Sequence, residues 1–429
     1  MIESIKLLIR FLPIHSIVLF TAAGLLLYYG CKRGKGNKSG SSSSPGEAKR
    51  TVPAASAVLV LWGFIFAAVY GHPVFALLTL ALTIAIYAIA RMLLKIKDKK
   101  LKKLLLYLGI LVSLGTLALF KYPVLKNELP TFIQVKALGI SYFTFKFLHV
   151  LIDTHRGRIK ELDPLSFFAF IFFFPTFSAG PIDRYGRFKK NLSEASGTLL
   201  AKEDVDAGIT RIITGLFKKF IIADKTGSLI GALAPDILKA SRPILWLVLF
   251  LYSIRVYYDF SGYSDIAIGL GRLFGFKVPE NFNKPYLKPN LVLFWQNWHM
   301  TLTSWLREYL FMPLGKLMMG KVGPGHPWLI NTVCQLVTMA AVGIWHGSTM
   351  SFLIWGLYQG AGLSLYRIYS DMLKKYGSDR LLGWMSESKA VYWAGVALTF
   401  LFISIGWAFF IYRWDTAVKI VIKLLAAGF

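Results

Sequence analysis

The chain has 429 residues, of which 55% are hydrophobic and only 17% are charged, and its mean hydropathy is +0.54. Soluble domains carry about 25% charged residues, so this composition argues against a soluble protein and indicates a membrane protein. There are 49 lysines and arginines against 22 aspartates and glutamates, which gives a formal net charge of +27. Because the basic residues form short clusters between apolar segments, they indicate membrane topology rather than nucleic-acid binding.

Several enzyme and metal-site classes have no support in the sequence. It contains no P-loop and no GxSxG nucleophile elbow. Cys31 and Cys334 belong to no CxxC pair and no cysteine–histidine cluster. We therefore expect neither a disulfide framework nor a bound metal.

The N-terminal part of the chain alternates between apolar segments and basic loops. Leu7–Gly30 predicts a first membrane span, retained rather than cleaved as a signal sequence. The Gly-, Ser- and Lys-rich stretch Cys31–Ser56 predicts a flexible basic loop. Ala57–Tyr70 and Val74–Leu94 then predict a helical hairpin around the turn Gly71–Pro73.

A second basic cluster, Arg91–Lys103, follows this hairpin. Both basic clusters are expected on the cytoplasmic side, which places the N-terminus outside. Leu104–Lys121 and Phe132–Ile152 predict two further spans. Pro164–Gly180 is apolar but short and contains Pro175, so a re-entrant segment and a full span are equally compatible with it.

The second half predicts an amphipathic helix at Lys202–Asp224, a span at Pro243–Tyr258 and a polar connection at Gly269–Asn290. Leu291–Leu317 predicts an amphipathic or partly buried helix. The remaining predicted spans are Leu329–Ile344, Phe352–Tyr369, Val391–Tyr412 and Val418–Ala427. These patterns predict an all-α polytopic membrane protein with roughly 10 to 12 membrane helices.

His346 is the most informative polar residue, because it lies in the apolar run AAVGIWHGSTMSFLIWG. A neutral imidazole can act as a general base near neutral pH. Gly343 and Gly347 would let a substrate or another backbone approach it closely. The alternative is a structural histidine that is hydrogen-bonded between helices.

His299 is the second histidine of interest and is surrounded by tryptophans. On a continuous helix, Trp295, His299 and Leu302 would share one face, with Arg307 about two turns further on. An interfacial aromatic belt would explain the tryptophans equally well. His149, on an apolar helix, is expected to be a buried structural residue.

The stretch Arg255–Tyr286 is rich in Gly and polar residues and is expected to be a structured loop. Asp259 and Asp265 are six residues apart and do not share a helical face, so they are expected at helix ends as hydrogen-bonding groups. Asn281 follows Pro279 in this stretch.

Seven segments in order resemble the membrane-bound O-acyltransferase (MBOAT) family. They are GISYFTFKFLHVLIDTHRG, FFPTFSAGPIDRYGRF, GLFKKFIIAD, YYDFSGYSDIAIG, PENFNKPY, FWQNWHMTLTSWLREYLFMPL and GIWHGSTMSFLIWGLYQG, which together extend over Gly139–Gly360. The tail segment SIGWAFFIY resembles the family as well. The similarity is to bacterial branches, the alginate O-acetylation proteins and the teichoic acid D-alanyl transfer proteins.

The resemblance implies a ring of tilted helices with re-entrant and amphipathic segments around a thin central reaction funnel. It divides the chain into N-terminal helices (1–130, with the loop 31–56) and a catalytic membrane core (131–429). It implies His346 as the catalytic histidine and His299 as the second, helix-borne histidine. Candidate substrate-contacting or funnel-lining residues are Trp345, Trp298, Asn297, Asp259, Asn281 and Arg307.

The resemblance further implies transfer of an acetyl or D-alanyl group from a cytoplasmic thioester to a hydroxyl outside the bacterial cytoplasmic (inner) membrane. The donor would be acetyl-coenzyme A or the phosphopantetheine of an acyl carrier protein, with no tightly bound cofactor. The acceptor would be an extracytoplasmic polysaccharide, a teichoic acid or a partner transferase. Asn297, Trp298 or backbone N–H groups are the candidate oxyanion donors.

The sequence is compatible with a second class of function and with two roles for one basic cluster. A transporter or channel could use buried His and Asp residues as proton or ion relays, although no paired halves are visible. The basic residues Arg184, Arg187, Lys189 and Lys190 have two interpretations as well. They are either topology signals or a docking site for an acidic carrier protein or a coenzyme A phosphate.

Overall fold

The computed structural model describes residues 14–33, 45–127, 129–131, 137–197 and 200–426. In these ranges the regular secondary structure is helical and no β-strand occurs. Six helices there are long and apolar enough to cross a membrane: Pro53–Gly71, Pro73–Lys95, Lys99–Lys121, Arg242–Leu273, Pro327–His346 and Lys389–Ile411. The all-α, multi-pass prediction is confirmed. The predicted total of 10 to 12 also counted segments that are too short or too polar to meet this length and hydropathy requirement.

The chain divides into two compact units, and the expected domain boundary at residue 130 stays a prediction. Unit 1 comprises Met1–Gly215 and Tyr263–Pro279, and unit 2 comprises Leu216–Gly262 and Glu280–Phe429. The helices that lie wholly in unit 1 are α1 (Ile14–Arg33), α2 (Pro45–Phe66), α3 (Pro73–Lys95), α4 (Lys99–Lys121), α5 (Pro123–Lys126), α6 (Ile140–His155), α7 (Pro164–Phe172) and α8 (Tyr185–Gly197). The next helix is α9 (Lys202–Leu216), which ends where unit 2 begins.

Unit 2 contains α10 (Asp224–Leu233) and most of α11 (Arg242–Leu273), whose residues from Tyr263 belong to unit 1. Its other helices are α12 (Leu291–Asn297), α13 (Met300–Leu306), α14 (Met312–Val322), α15 (Pro327–His346), α16 (Met350–Tyr376), α17 (Asp379–Glu387), α18 (Lys389–Ile411) and α19 (Trp414–Leu425). Single π-helical turns interrupt the chain at Ala67–Gly71, Phe217–Ala223 and Arg307–Phe311.

Two helices meet at the turn predicted in unit 1, and local chemistry explains how the second helix begins. Pro73 occupies the first turn of α3, and the His72 side chain accepts a hydrogen bond from the backbone N–H of Val74 at 3.3 Å. The predicted loop Cys31–Ser56 is only partly described, because residues 34–44 lie outside the described ranges. At its ends, α1 continues to Arg33 and α2 begins at Pro45, so the described parts of this stretch are helical rather than loop.

The re-entrant alternative is supported for Pro164–Gly180. Helix α7 has nine residues, about 13 Å, which is less than half of the roughly 30 Å hydrocarbon core of a bilayer. A 3₁₀ turn at Phe174–Thr176 follows it. Lys146 on α6 donates to the carbonyl oxygens of Phe170 (2.8 Å) and Ile171 (3.4 Å), so its buried amino group satisfies two of the last carbonyls of α7.

His149 has the structural role expected from the sequence. Its Nε2 accepts a hydrogen bond from the backbone N–H of Tyr185 at 2.8 Å. Its Nδ1 lies 3.2 Å from Asp153, which also contacts Arg158 at 3.3 Å. Because both ring nitrogens contact protein groups, His149 anchors the start of α8 to α6.

Two predictions for the second half are wrong. The stretch from Arg255 to Leu273 is helix rather than loop, because α11 continues for 32 residues, about 48 Å. Asp259 and Asp265 therefore lie within this helix rather than at its ends, and each faces a cation. Asp265 pairs with Arg211 at 2.5 Å, whereas the partner of Asp259 is Lys219.

Candidate active site

His346 ends α15, at a sharp turn between two helices of unit 2. The chain leaves the helix at Gly347 in an extended conformation, and α16 begins at Met350. The imidazole is half-buried and aromatic rings surround it. The centroid distances are 4.7 Å to Trp345, 5.0 Å to Phe410, 5.2 Å to Trp355 and 6.2 Å to Phe352.

The glycines beside His346 bring two helices together. A Cβ on Gly343 would lie 2.2 Å from the carbonyl oxygen of Phe352, and a Cβ on Gly347 would lie 2.4 Å from the Phe352 ring. On α16, a Cβ on Gly356 would lie 2.3 Å from the carbonyl oxygen of Met339. These glycines therefore allow α15 and α16 to pack closely, so they admit another backbone rather than a substrate. This packing fixes the position of His346.

His299 lies at a break between two helices, not on one continuous helix. Helix α12 ends at Asn297 and α13 begins at Met300, while His299 itself has φ +43°. The face predicted to hold Trp295, His299 and Leu302 at helical spacing therefore does not exist. A left-handed backbone is costly for a residue other than glycine, so other contacts must hold this turn.

Asn281 supplies those contacts and is completely buried. Its Oδ1 lies 3.3 Å from His299 Nδ1 and accepts a hydrogen bond from the Thr301 hydroxyl at 2.6 Å. Its backbone carbonyl accepts from the N–H of Met300 at 2.9 Å. Since Oδ1 can only accept, His299 carries its proton on Nδ1 and presents the Nε2 lone pair.

The Nε2 atom of His299 is buried and has no hydrogen-bond partner among the described residues. Only 3% of this residue is exposed, and it lies outside the six membrane-spanning helices. Burial lowers the pKa of His299 well below its ordinary value, so the imidazole stays neutral. His299 thus holds a buried hydrogen-bond acceptor that no described residue uses.

An unbroken series of aromatic contacts within unit 2 connects the two histidines. From His346 to His299 the rings are Trp355, Trp407, Trp298, Phe282 and Phe260, with successive centroid distances between 4.7 and 6.0 Å. Both histidines therefore face one apolar aromatic environment of unit 2. Such an environment strengthens electrostatic interactions and keeps water from a reactive group.

Asp259 forms a buried ion pair. Its Oδ1 lies 2.8 Å from the Nζ atom of Lys219, and the two side chains are 8% and 5% exposed. Lys219 also donates to Asp224 at 2.7 Å. Burial opposes the charged ammonium, but the carboxylates of Asp259 and Asp224 outweigh it and raise the pKa of Lys219.

The structure places the other predicted lining residues in different surroundings. Trp298 and Asn281 lie beside His299, and Trp345 lies beside His346. The amide of Asn297 donates to the carbonyl oxygen of Leu293 in its own helix at 2.8 Å. Arg307 is exposed at the start of a π-helical turn.

Three of the four basic docking candidates lie next to carboxylates of unit 1. Arg187 pairs with Asp183 at 2.6 Å, Lys189 lies 4.0 Å from Glu161, and Lys190 lies 3.8 Å from Glu194. The backbone N–H of Arg184 donates to Asp183 at 2.6 Å. Much of this positive charge is therefore balanced within the protein itself.

Trp355, Phe410 and Lys219 were not predicted from the sequence. Trp355 is nine residues from His346 and Phe410 is on α18, so only the fold brings them to the histidine. The signal available in the sequence for Trp355 was an indole next to Gly356, a residue that allows close helix packing. Lys219 lies near the end of the predicted amphipathic helix Lys202–Asp224, and its partner Asp259 is forty residues further along the chain.

Two further features of the described residues bear on where catalysis could take place. A cavity of about 450 Å³ in unit 1 is lined only by apolar side chains of α2, α3 and α7, including Phe64, Leu80 and Phe172. It holds no group able to move a proton. No group of three or more His, Cys, Asp or Glu side chains that could hold a metal ion occurs in the described ranges.

Comparison with known proteins shows which family the chain belongs to. The model of the MBOAT family, membrane-bound O-acyltransferases, matches residues 64–412. A peptidoglycan O-acetyltransferase of Helicobacter pylori is 32% identical over 345 residues, covering 72% of this chain and 62% of that protein. A probable alginate O-acetylase of Pseudomonas syringae is 33% identical over 322 residues, covering 71% of this chain and 57% of that protein.

A teichoic acid D-alanyltransferase of Bacillus subtilis is 33% identical over 279 residues, covering 64% of this chain and 69% of that protein. The chain thus spans about three fifths of the length of the first two relatives. The matched range 64–412 covers the positions of both histidines. On these grounds the chain belongs to the membrane-bound O-acyltransferase family.

Proposed function

We propose that this protein is an O-acyltransferase that moves an acetyl or D-alanyl group from a thioester to a hydroxyl of a cell-envelope polymer or of a partner transferase. The family match and the names of the relatives support this reaction class. The observation that carries the assignment to a site is the half-buried imidazole of His346, held at a helical turn inside an aromatic enclosure.

In the proposed reaction, the acceptor hydroxyl oxygen attacks the thioester carbonyl carbon, and His346 takes the hydroxyl proton. A carbon–oxygen bond forms, and the carbonyl oxygen becomes an oxyanion. The tetrahedral intermediate then collapses, the carbon–sulfur bond breaks, and the leaving thiolate takes the proton from the imidazolium. General-base assistance of this kind contributes about 10²–10⁴-fold to the rate.

The aromatic surroundings favour this chemistry over hydrolysis. A thioester exposed to water loses its acyl group to a competing nucleophile, and an apolar enclosure reduces the local water concentration. The tight packing of α15 against α16 fixes the backbone position of His346, which limits the entropy lost when the reactants align. The Nε2 atom of His299 would accept a hydrogen bond from the donor or the acceptor and position it.

The donor would be acetyl-coenzyme A or a carrier protein with an acylated phosphopantetheine arm, and it would arrive from the cytoplasm. The acceptor, a polysaccharide or teichoic acid, or a partner transferase, would lie on the outer side of the bacterial cytoplasmic membrane. Transfer within the membrane protein would let the acyl group cross without release of an activated intermediate.

We assign the basic residues Arg184, Arg187, Lys189 and Lys190 to topology, because carboxylates already lie near three of them. Replacement of Lys189 and Lys190 by Gln should then change the KM for the donor by less than about twofold, since exposed ion pairs contribute little. A KM that rises steeply with salt, and loses this dependence in the variant, would instead support donor docking.

The experiment that tests the proposed function is acyl transfer in reconstituted proteoliposomes. Radiolabelled acetyl-coenzyme A and D-alanyl carrier protein would each be supplied on one side, with polymer acceptor on the other. Appearance of label in ester linkage to the acceptor is the expected result. Solute or ion flux without transfer from either thioester would contradict the proposal and would support the transporter alternative.

A further inference from the structure

Trp355 has a buried hydrogen-bond donor with no partner. The residue is 2% exposed, and its Nε1 has no hydrogen-bond partner among the described residues. An indole N–H can only donate, and leaving such a group buried and unpaired costs about 1–3 kcal/mol. An unpaired buried donor of this kind calls for an explanation.

The position of Trp355 indicates what the donor serves. Its ring meets the imidazole of His346 edge to face, with centroids 5.2 Å apart and planes at 88°. It also stacks on Trp407, at 6.0 Å and 18°. The buried N–H therefore belongs to a ring that directly contacts the proposed general base.

Trp407 provides an internal comparison. Its indole has the same size, lies in the same stack and is nearly as buried as that of Trp355. The Nε1 of Trp407, however, donates to the Tyr286 hydroxyl at 3.3 Å. Within this pair the protein satisfies one indole N–H and leaves the one beside His346 unpaired.

We propose that the indole N–H of Trp355 donates a hydrogen bond to the acyl carbonyl oxygen and stabilises the oxyanion formed during transfer. This inference rests on the proposed function. As the hydroxyl attacks, negative charge develops on the carbonyl oxygen, and a donor already fixed in an apolar site gains strength without reorganising. The N–H bond stays intact throughout, and the proton balance between hydroxyl, His346 and thiolate is unchanged.

This assignment replaces one of the donors expected from the sequence. One of the two N–H groups of the Asn297 side-chain amide donates to the carbonyl oxygen of Leu293 within α12, which holds this amide against its own helix. Trp295 is a second indole with a buried, unpaired Nε1, and its ring contacts Trp355 at 6.0 Å. It gives the site a potential second donor, which the test below includes.

The test compares Trp355→Phe with Trp407→Phe and Trp295→Phe in the proteoliposome transfer assay, with acetyl-coenzyme A and D-alanyl carrier protein as donors. Loss of one oxyanion donor lowers kcat by about 10²–10³-fold. We expect this fall for Trp355→Phe, with the donor KM changed less than about threefold. Trp407→Phe, which removes a structural hydrogen bond, should lower kcat less than a tenth as much.

A second substitution removes the N–H without changing the shape of the ring. 3-Benzothienylalanine at position 355, introduced through a reassigned codon, carries sulfur where tryptophan carries the N–H group. It should lower kcat as Trp355→Phe does while helicity and elution volume stay unchanged. This variant separates loss of the donor from loss of packing, so a folding defect in Trp355→Phe does not decide the result.

The possible outcomes distinguish this inference from the proposed function. If His346→Ala abolishes transfer and the benzothienyl variant keeps at least half of the wild-type kcat, Trp355 is not the oxyanion donor and the proposed function still stands. If the wild-type protein transfers no acyl group from either thioester, both are overturned. A fall in kcat of about 10²-fold or more at unchanged KM supports the inference.

Discussion

The buried ion pair between Lys219 and Asp259 allows a quantitative test of what holds unit 2 together. At a separation of 2.8 Å and an effective dielectric constant of about 20, the gross attraction is about 6 kcal/mol. Desolvation of two nearly buried charges costs several kcal/mol per ion and offsets most of this gain. The intact pair thus adds little net stability, whereas a single remaining charge has lost its compensation.

We therefore expect Lys219→Met to lower the free energy of unfolding by about 3–5 kcal/mol, because it leaves the Asp259 carboxylate buried and unpaired. Asp224 is 46% exposed and can be solvated without Lys219. The double variant Lys219→Met/Asp259→Leu removes both buried charges and should be more stable than Lys219→Met alone. Asp259 precedes Phe260, which packs edge-on against His299 at 4.7 Å, so Lys219→Met should lower transfer activity as well.

The assay is unfolding by dodecyl sulfate in mixed micelles, followed by tryptophan fluorescence. A matched control is the exposed pair Arg367–Asp371 on α16, whose side chains are 51% and 45% exposed. Breaking that pair with Arg367→Met should cost no more than about 0.5 kcal/mol. Equal losses for Lys219→Met and Arg367→Met, or a double variant no more stable than Lys219→Met, would refute the reasoning about burial.

Three further predictions concern the packing and protonation of the site. Gly356→Leu should lower the free energy of unfolding by about 1–3 kcal/mol in the same titration, because its Cβ would lie 2.3 Å from the carbonyl oxygen of Met339. The control is Gly383→Ala, which faces open space and should not destabilise the protein. Asn281→Ala should lower the free energy of unfolding by about 1–3 kcal/mol and reduce activity, because it leaves the buried donors of His299 and Thr301 unpaired. A variant whose stability lies within about 0.5 kcal/mol of wild type would contradict this. Because burial lowers the pKa of His299, the unfolded state binds a proton more readily below about pH 6.5, so the contribution of His299 to stability is complete above that pH and declines as the pH falls. His299→Gln should make the dependence of stability on acid pH shallower, and an unchanged slope would show that His299 is not the responsible group.

Hydropathy and local turn chemistry were sufficient to predict much of the helical framework. The segment Val74–Leu94 differs by a single residue at each end from helix α3, because Pro73 and the His72 cap fix its start. The resemblance of sequence motifs singled out His346 and His299 as candidates, and the matched range 64–412 covers both positions.

What the sequence did not reveal depends on contacts between distant segments. The left-handed turn at His299 depends on Asn281, eighteen residues earlier, so local periodicity predicted one helix where there are two. Helix α11 extends through a glycine- and aspartate-rich stretch because its aspartates are paired with cations, Lys219 and Arg211. A propensity argument evaluates such residues alone and predicts a loop, whereas tertiary pairing stabilises the helix.

The central claim, that His346 acts as the general base, is tested most directly by the rate of acyl transfer in His346→Ala. His326 is the matched control, because it lies at the opposite end of the same helix and is exposed. With helicity and elution volume unchanged, His346→Ala should lose about 10²–10⁴-fold in kcat, whereas His326→Ala should retain the wild-type rate. A folded His346→Ala protein with wild-type kcat would contradict the account.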